Sequence, residues 1–399
     1  MTKELTIIGA GPAGMTAALF AARGGVQVTL IDGNAMVGRK LLVTGAGRAN
    51  LTNRELSTDR YTCADPAWLE SVFARFGYAE LLAFLESIGV LTYTTHDGWC
   101  YPLSESAQTV VDAFAAALNE AGVGLLLDHK VISIRNTGGE LNKGFEIGFK
   151  TQRPHTCETL LVAAGGAAYP ALGSRGQLFP MLEALGHTVI APRPALAPVT
   201  CDMTAYKALQ GVRLDARVKL YAGAALLAHT TGNLIFTAWG LNGPAVMDLS
   251  HHISARPGEN LRLELNPLFA SESALRALLR EKRGSPTPLA VLLGAVLPPK
   301  MPPVLLKIAG FSPDIKINEV SDKALPYLFA LLTAIPFTVT GTRGFEFCQV
   351  SAGGVPVSQV NPQTMRSLKA PNLLLAGETL DVVGPCGGYN LHFAFATGA

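Results

Sequence analysis

The run Gly9-Ala10-Gly11-Pro12-Ala13-Gly14 lies between a short β-rich segment, 5–8 (LTII), and a helix of small side chains, 13–23, while Asp32 follows the next strand, 26–31 (VQVTLI). Each glycine has its own task in such a turn. Gly9 permits the sharp bend, Gly11 lets backbone approach a pyrophosphate, and Gly14 lets helix and strand pack closely. The free N–H groups and dipole at the helix start, where Pro12 and Ala13 sit, then favour an anion. Asp32, 23 residues after Gly9, can accept hydrogen bonds from a ribose. Strand, turn, helix and acid together read as a dinucleotide-binding βαβ unit rather than chance glycines.

The far end of the chain carries a second constellation. A buried strand, 371–376 (PNLLLA), runs into Gly377-Glu378, then Asp381, then Gly384-Pro385-Cys386-Gly387-Gly388-Tyr389-Asn390-Leu391. A carboxylate at Glu378 or Asp381 can accept from ribityl hydroxyls. A helix starting at Gly388-Tyr389 would aim its positive end at the N1 and O2 side of a flavin, a field that favours the anionic reduced ring. Only one fingerprint occurs, and it sits at the N-terminus, where a bound FAD would be an integral part of the fold. FAD is therefore the expected cofactor, with NADH or NADPH as a transient donor. Tyr389 and His392 are proton-donor candidates beside the ring, against the plainer reading that each is structural.

These motifs need elements to hold them. At 399 residues the chain exceeds the size at which one core stops growing, so two or three domains are expected. Hydrophobic residues at 49% against charged ones at 16% fit an enzyme with much buried sheet. The net charge of +2 supplies no basic field that would by itself argue for nucleic acid. The longest apolar stretches, 289–297 and 327–332, fall short of the roughly 20 residues a membrane-spanning helix needs. An acid at Glu4 and an immediate strand replace the features of a signal peptide, so a cytoplasmic location is expected. Six cysteines without a CxxC pair read as reduced, mostly buried thiols. His251-His252, read as neighbours on a strand facing opposite ways, makes no metal pair, and no metal site is expected.

Helical periodicity covers 67–88 and 106–121. Strands are expected at 123–134, which includes the cofactor-side candidate Val131, and at 145–149, around a turn at Asn136-Thr137-Gly138-Gly139. The run 159–164 (TLLVAA) is apolar throughout, as a parallel strand buried on both faces should be, and it ends at Ala164-Gly165-Gly166. Pro192, Pro194 and Pro198 mark an exit, after which 212–236 reads as antiparallel strands. Helices follow at 271–283 and 287–297, the proline cluster 298–303 precedes another short helix, and strands resume at 337–340 and 347–350.

The sequence resembles the bacterial YhiN/BaiN-like flavoproteins, the aminoacetone oxidase family of FAD-binding enzymes, over nearly its whole length. The resemblance rests on Gly38-Arg39-Lys40-Leu41-Leu42 with Thr44-Gly45-Ala46-Gly47-Arg48-Ala49-Asn50-Leu51-Thr52-Asn53, and on Gly165-Gly166-Ala167-Ala168-Tyr169-Pro170. Phe236-Thr237 with Gly240-Leu241-Asn242-Gly243-Pro244, Gly341-Thr342-Arg343-Gly344 with Ala352-Gly353-Gly354-Val355, and the C-terminal segment complete it. It implies an α/β fold: a discontinuous Rossmann-type FAD-binding domain with an inserted antiparallel β-barrel and a small helical domain. The boundaries drawn are 1–191 and 351–399 for the FAD domain, 192–266 for the barrel, 267–330 for the helical domain and 331–350 for the returning strands.

The resemblance also implies that loop 38–53 lies along the flavin, making Gly38, Arg39, Lys40, Gly47, Arg48, Asn50 and Thr52 candidates for cofactor or substrate contacts, with Arg48 also a catalytic candidate. Three departures stand out. Ala49 replaces a common cysteine, so no catalytic thiol is expected there; Ala163-Ala164-Gly165 lacks a hydroxyl found in the family turn; and the last helix should run past Ala399. The activity implied is that of an FAD-dependent oxidoreductase exchanging hydride between flavin N5 and a small or medium organic substrate held between FAD domain and barrel, by enone-type reduction or amine oxidation. A flavin-dependent ribosomal RNA dihydrouridine synthase, with RNA as partner, is the alternative enzyme, and a non-catalytic flavin-binding redox sensor the alternative outside enzymes.

Overall fold

The computed structural model describes residues 3–137 and 144–399. The apolar runs at both ends of the chain meet in one parallel sheet. Its order is Leu373–Leu375, Leu160–Val162, β1 (Glu4–Ile8), β2 (Gln27–Ile31), Gly124–Leu126. Ile8 stands opposite both Val162 and Ile31, and Val162 opposite Leu375, so the carboxyl ends of the central strands are level. Leu160, Val162, Ile7, Leu30 and Leu375 are fully buried, because a parallel sheet is covered on both faces. From β1 the chain builds outward to β2 on one side, and Leu160–Val162 returns on the other. That reversal opens a crevice at the carboxyl edge, the place where open α/β sheets take their ligands.

Helix α1 (Pro12–Arg23) covers one face and is packed by the last helix, Tyr389–Gly398. The two backbones touch: a Cβ on Gly398 would fall 2.3 Å from the Ala13 carbonyl oxygen. The small residues of both helices thus serve close approach rather than helix propensity alone.

The chain separates into two compact units, Met1–Pro194 with Cys348–Ala399, and Ala195–Phe347. The second contains a closed six-stranded barrel, built of Val199–Cys201, Gly240–Asn242, Ala225–Phe236, Arg213–Ala222, Leu261–Asn266 and Ile335–Thr342 in that neighbour order. Alternation fills it: Leu261, Leu263 and Leu265 point inward with Ala216, Val218 and Leu220. Helices Glu272–Glu281, Leu289–Leu293, Met301–Ile308 and Ala324–Thr333 lie between its last two strands in sequence.

Several expected elements divide or change. The run 67–88 forms two helices, Pro66–Arg75 and Tyr78–Ser87, since Phe76 leaves helical geometry and the Glu80 carboxylate accepts from the Gly77 N–H to start the second. The run 123–134 breaks at Asp128, whose φ is +58°. Gly124–Leu126 joins the parallel sheet, and Val131–Asn136 pairs antiparallel with Phe145–Phe149. Gly138 and Gly139 of the expected turn lie outside the described residues. The helix Met301–Ile308 begins inside the proline cluster, with Pro302 and Pro303 in a first turn that needs no N–H donors. The strand expected at 347–350 starts only at Val350 and runs to Gly354. His251 and His252 sit on a short helix, Ser250–Ser254, and not on a strand; their ring centroids lie 4.1 Å apart.

Candidate functional site

Four chain segments end together at the carboxyl edge of the sheet: the Gly9–Gly14 turn after β1, Asp32 after β2, Ala163–Gly166 after Leu160–Val162, and Gly377–Glu378 after Leu373–Leu375. The glycines of the first turn are not equivalent. A Cβ on Gly9 would meet the Ala163 carbonyl oxygen at 2.3 Å, and one on Gly14 would meet the Gly9 carbonyl oxygen at 1.8 Å. One on Gly11 meets no protein atom within 4 Å. Two of the three glycines are therefore locked by the fold, and the third faces open space at the start of α1.

Asp32 joins this turn to its neighbour. Its Oδ2 accepts the Ala10 N–H at 2.7 Å, and its Oδ1 accepts the backbone and side-chain N–H groups of Asn34, both at 2.8 Å. The carboxylate remains partly exposed, with lone pairs to spare. The segment leading to Val131 runs alongside: Asp128 N–H donates to the Asn34 carbonyl and His129 N–H to that of Asp32. Val131 itself is buried.

Loop 38–53 distributes its cations separately. Gly38 N–H donates to the Ala10 carbonyl at 2.8 Å, which anchors the loop beside the glycine turn. Exposed Arg39 donates to Asn34 Oδ1 at 2.7 Å. Lys40 reaches across to Glu378, with Nζ 2.7 Å from Oε2. Gly47 is exposed, and Arg48 places its guanidinium 4.5 Å from the ring centroid of Tyr101. Asn50 and Thr52 are buried and internally satisfied. With its amide oriented by its neighbours, Asn50 donates to the Cys100 and Thr52 carbonyls, both at 3.2 Å, and the Thr52 hydroxyl lies 2.9 Å from His392 Nδ1.

The C-terminal acids are used within the protein. Glu378 Oε1 accepts the N–H and hydroxyl of Ser351 at 2.8 and 3.0 Å, and Asp381 Oδ1 accepts the Gly353 N–H at 2.7 Å. These acids thus staple the strand Val350–Gly354, a duty beyond the ribityl acceptance expected of them. Asn390 closes the loop before it, accepting the Gly384 N–H at 2.8 Å and donating to the Gly384 carbonyl at 2.7 Å. Gly387 and Gly388 enter the last helix with φ of +117° and +95°; Gly388 lies directly under the Thr52 carbonyl, where a Cβ would fall 2.4 Å away. Leu391 is half-buried on the first turn.

The two expected proton donors are both buried. His392 is fully buried, Nε2 facing the Phe76 carbonyl and Nδ1 facing Thr52. A carbonyl only accepts, so Nε2 carries the proton and Nδ1 accepts from the Thr52 hydroxyl. Burial pushes its pKa down to about 4, against a smaller upward pull from the Phe76 carbonyl. Both nitrogens are occupied, and the group is held neutral. Tyr389 is 2% exposed, and its hydroxyl donates to the Glu55 carbonyl at 3.3 Å. Both side chains are thus enclosed and hydrogen-bonded within the protein.

Sequence reasoning missed Ser351 and Thr379. Ser351 immediately precedes the Ala352-Gly353-Gly354 motif, the one local signal that could have found it. The Thr379 hydroxyl is buried with no hydrogen-bond partner among the described residues, and it lines a small cavity with Ala164, Gly165, Gly166, Phe179 and Leu182. The open face at Gly11, the partly free Asp32 carboxylate and this orphan hydroxyl all fit a phosphate- and hydroxyl-bearing cofactor at the sheet edge. All six cysteines are free, four of them buried. No helix among the described residues is long and apolar enough to cross a membrane.

The fold is that of a Rossmann-type flavoenzyme with an inserted antiparallel barrel. The chain belongs to the HI0933-like family, whose Rossmann-domain model matches residues 3–399. It is 33% identical over 402 residues, covering 99% of this chain and 97% of the other, to a 3-dehydro-bile acid delta(4,6)-reductase of Clostridium scindens. It is 30% identical over 401 residues, 99% and 96% of the two chains, to a ribosomal RNA dihydrouridine synthase of Escherichia coli. Among solved structures, 3-ketosteroid delta1-dehydrogenase from Sterolibacterium denitrificans shares the fold, with a TM-score of 0.54 at 12% identity over 100% of this chain and 99% of that one. The chain is an FAD-dependent oxidoreductase.

Proposed function

We propose that this enzyme reduces a carbon–carbon double bond conjugated to a carbonyl on a small or medium organic substrate. The relative acting on a dehydro-bile acid, aligned with 99% of this chain, supports that choice over amine oxidation. The observation that carries the cofactor site is the convergence of Gly11, Asp32, Gly165 and Gly377 at one sheet edge.

Bound FAD would supply the hydride chemistry. The protein's part follows from its own groups. The N–H groups at the start of α1, beside Gly11, receive the pyrophosphate; Asp32 takes ribose hydroxyls; and Val131 borders the adenine end. The start of the helix Tyr389–Gly398 sets a positive field at the ring. Exposed Arg48 has no carboxylate partner among the described residues, and it is the loop cation that meets a substrate oxygen or carboxylate. The proton that completes the reduction does not come from His392 or Tyr389. NADH or NADPH supplies the electrons transiently, and free cysteines are in keeping with a cytoplasmic setting.

The purified yellow protein is mixed anaerobically with NADH and NADPH and then with an α,β-unsaturated ketone. Bleaching by a pyridine nucleotide followed by recolouring with the ketone supports the reading. Bleaching by amines alone overturns it in favour of oxidation. The RNA reading draws on the 30% identical relative and on the second compact unit, whose 15 Lys and Arg face 11 Asp and Glu. Against it, Arg276, Lys282 and Arg283 are each paired with an acid, which mutes the field of that basic stretch. Recolouring by uridine-containing ribosomal RNA and not by ketones would select it.

A further inference from the structure

Lys40 and Glu378 stand 338 residues apart in the chain and meet at 2.7 Å. Their side chains are 22% and 18% exposed, and among the ion pairs of the described residues no other has both partners below a quarter. The remaining oxygen of Glu378 is taken by the N–H and hydroxyl of Ser351, and the Ser351 oxygen accepts the Ala167 N–H at 2.9 Å. One carboxylate therefore ties together the loop after Gly38, the turn after Leu160–Val162, the strand Val350–Gly354 and the end of Leu373–Leu375. Gly166 lies directly on this network: a Cβ there would fall 2.0 Å from Ser351 Oγ and 2.6 Å from Glu378 Oε1. With both oxygens engaged, Glu378 is better employed holding the protein than receiving a hydroxyl.

We propose that Lys40 and Glu378 are a positioning pair, an ionic latch that closes the two chain-distant parts of the cofactor-binding unit on each other, so that FAD retention depends on the pair and not on either charge alone. The proposal rests on the FAD reading above. Partial burial makes it effective, because a pair shielded from water and salt keeps more of its attraction than an exposed one. If the two residues act only through each other, removing the second after the first should add nothing.

Apoprotein of the wild type, Lys40→Met, Glu378→Gln and the double variant is titrated with FAD by fluorescence, with melts of each apoprotein recorded in parallel. Each single variant should raise the dissociation constant tenfold or more, and the double variant should be no weaker than the weaker single. Effects that multiply in the double variant overturn the latch, because they mean independent contacts with the cofactor. Unchanged affinity in both singles also overturns it. If Glu378→Gln does not fold, Glu378→Asp with Lys40→Arg repeats the cycle under the same criteria. A wild-type apoprotein that binds no FAD defeats the cofactor reading itself, a result distinct from a wild type that binds while the variants bind equally well.

Discussion

Gly11→Ala separates binding from folding more sharply than any other change in the glycine turn. Gly11 caps α1 with φ −82° and ψ −176°, a conformation any residue adopts, and its missing Cβ points at no protein atom within 4 Å. Alanine there removes backbone freedom from the unfolded chain, worth about 0.4–1 kcal/mol, and loses glycine's advantage over alanine as a cap, a term of similar size and opposite sign. Apoprotein stability should therefore stay within about 1 kcal/mol of wild type. The added methyl occupies the space through which a pyrophosphate approaches the helix N–H groups, so FAD affinity should fall at least tenfold, about 1.4 kcal/mol. Gly14→Ala is the control: its Cβ would sit 1.8 Å from the Gly9 carbonyl oxygen, and the overlap should cost about 1–3 kcal/mol of stability or more. Denaturant unfolding of the apoproteins and fluorescence titration with FAD measure the two effects. A Gly11→Ala protein that binds FAD as tightly as wild type would refute the reasoning, as would a Gly14→Ala protein indistinguishable from wild type in unfolding.

Three further outcomes are expected. His392 has a folded-state pKa of about 4 against an ordinary 6.5. The unfolded chain therefore binds its proton first, and stability falls as pH drops from about 6.5 to 4, by about 3 kcal/mol in all. His392→Gln should flatten that part of the stability–pH curve, while buried His187, whose pKa is also lowered by desolvation, contributes equally to both proteins; identical slopes in variant and wild type would count against the burial argument. Asp32→Ala should weaken FAD retention roughly tenfold, as read by flavin released on gel filtration, since it removes both the ribose acceptor and the tie to the Ala10 N–H. Arg48→Met should raise the KM for a ketone bearing a carboxylate about tenfold or more with a smaller change for a neutral ketone; equal changes for the two substrates would remove Arg48 from the substrate's charged end.

The parts of the protein legible in its sequence are those governed by short-range sterics. Gly9, Gly14 and Asp32 lie where their spacing places them, because a strand–turn–helix crossing leaves no room for side chains at the first two positions and β2 carries the third to the same edge. The apolar runs 159–164 and 371–376 announced buried parallel strands, since both faces of such strands must be covered. Element boundaries were less legible. The division at Phe76–Gly77 depends on one capping carboxylate, and the division at Asp128 on one left-handed residue. His251 and His252 look alike on a strand or a short helix until neighbours decide.

Side-chain pairing between distant segments was not legible, and that is what determined which candidates are free to act. Only the tertiary structure puts His392 behind Phe76 and Thr52, turns Asn50 inward, gives Glu378 to Lys40 and Ser351, and leaves Arg48 outside. Periodicity and motif spacing report the environment a residue shares with its near neighbours in sequence. Desolvation and hydrogen-bond satisfaction depend instead on atoms hundreds of residues away, and those terms separate a buried, neutral imidazole from one that exchanges protons with a substrate.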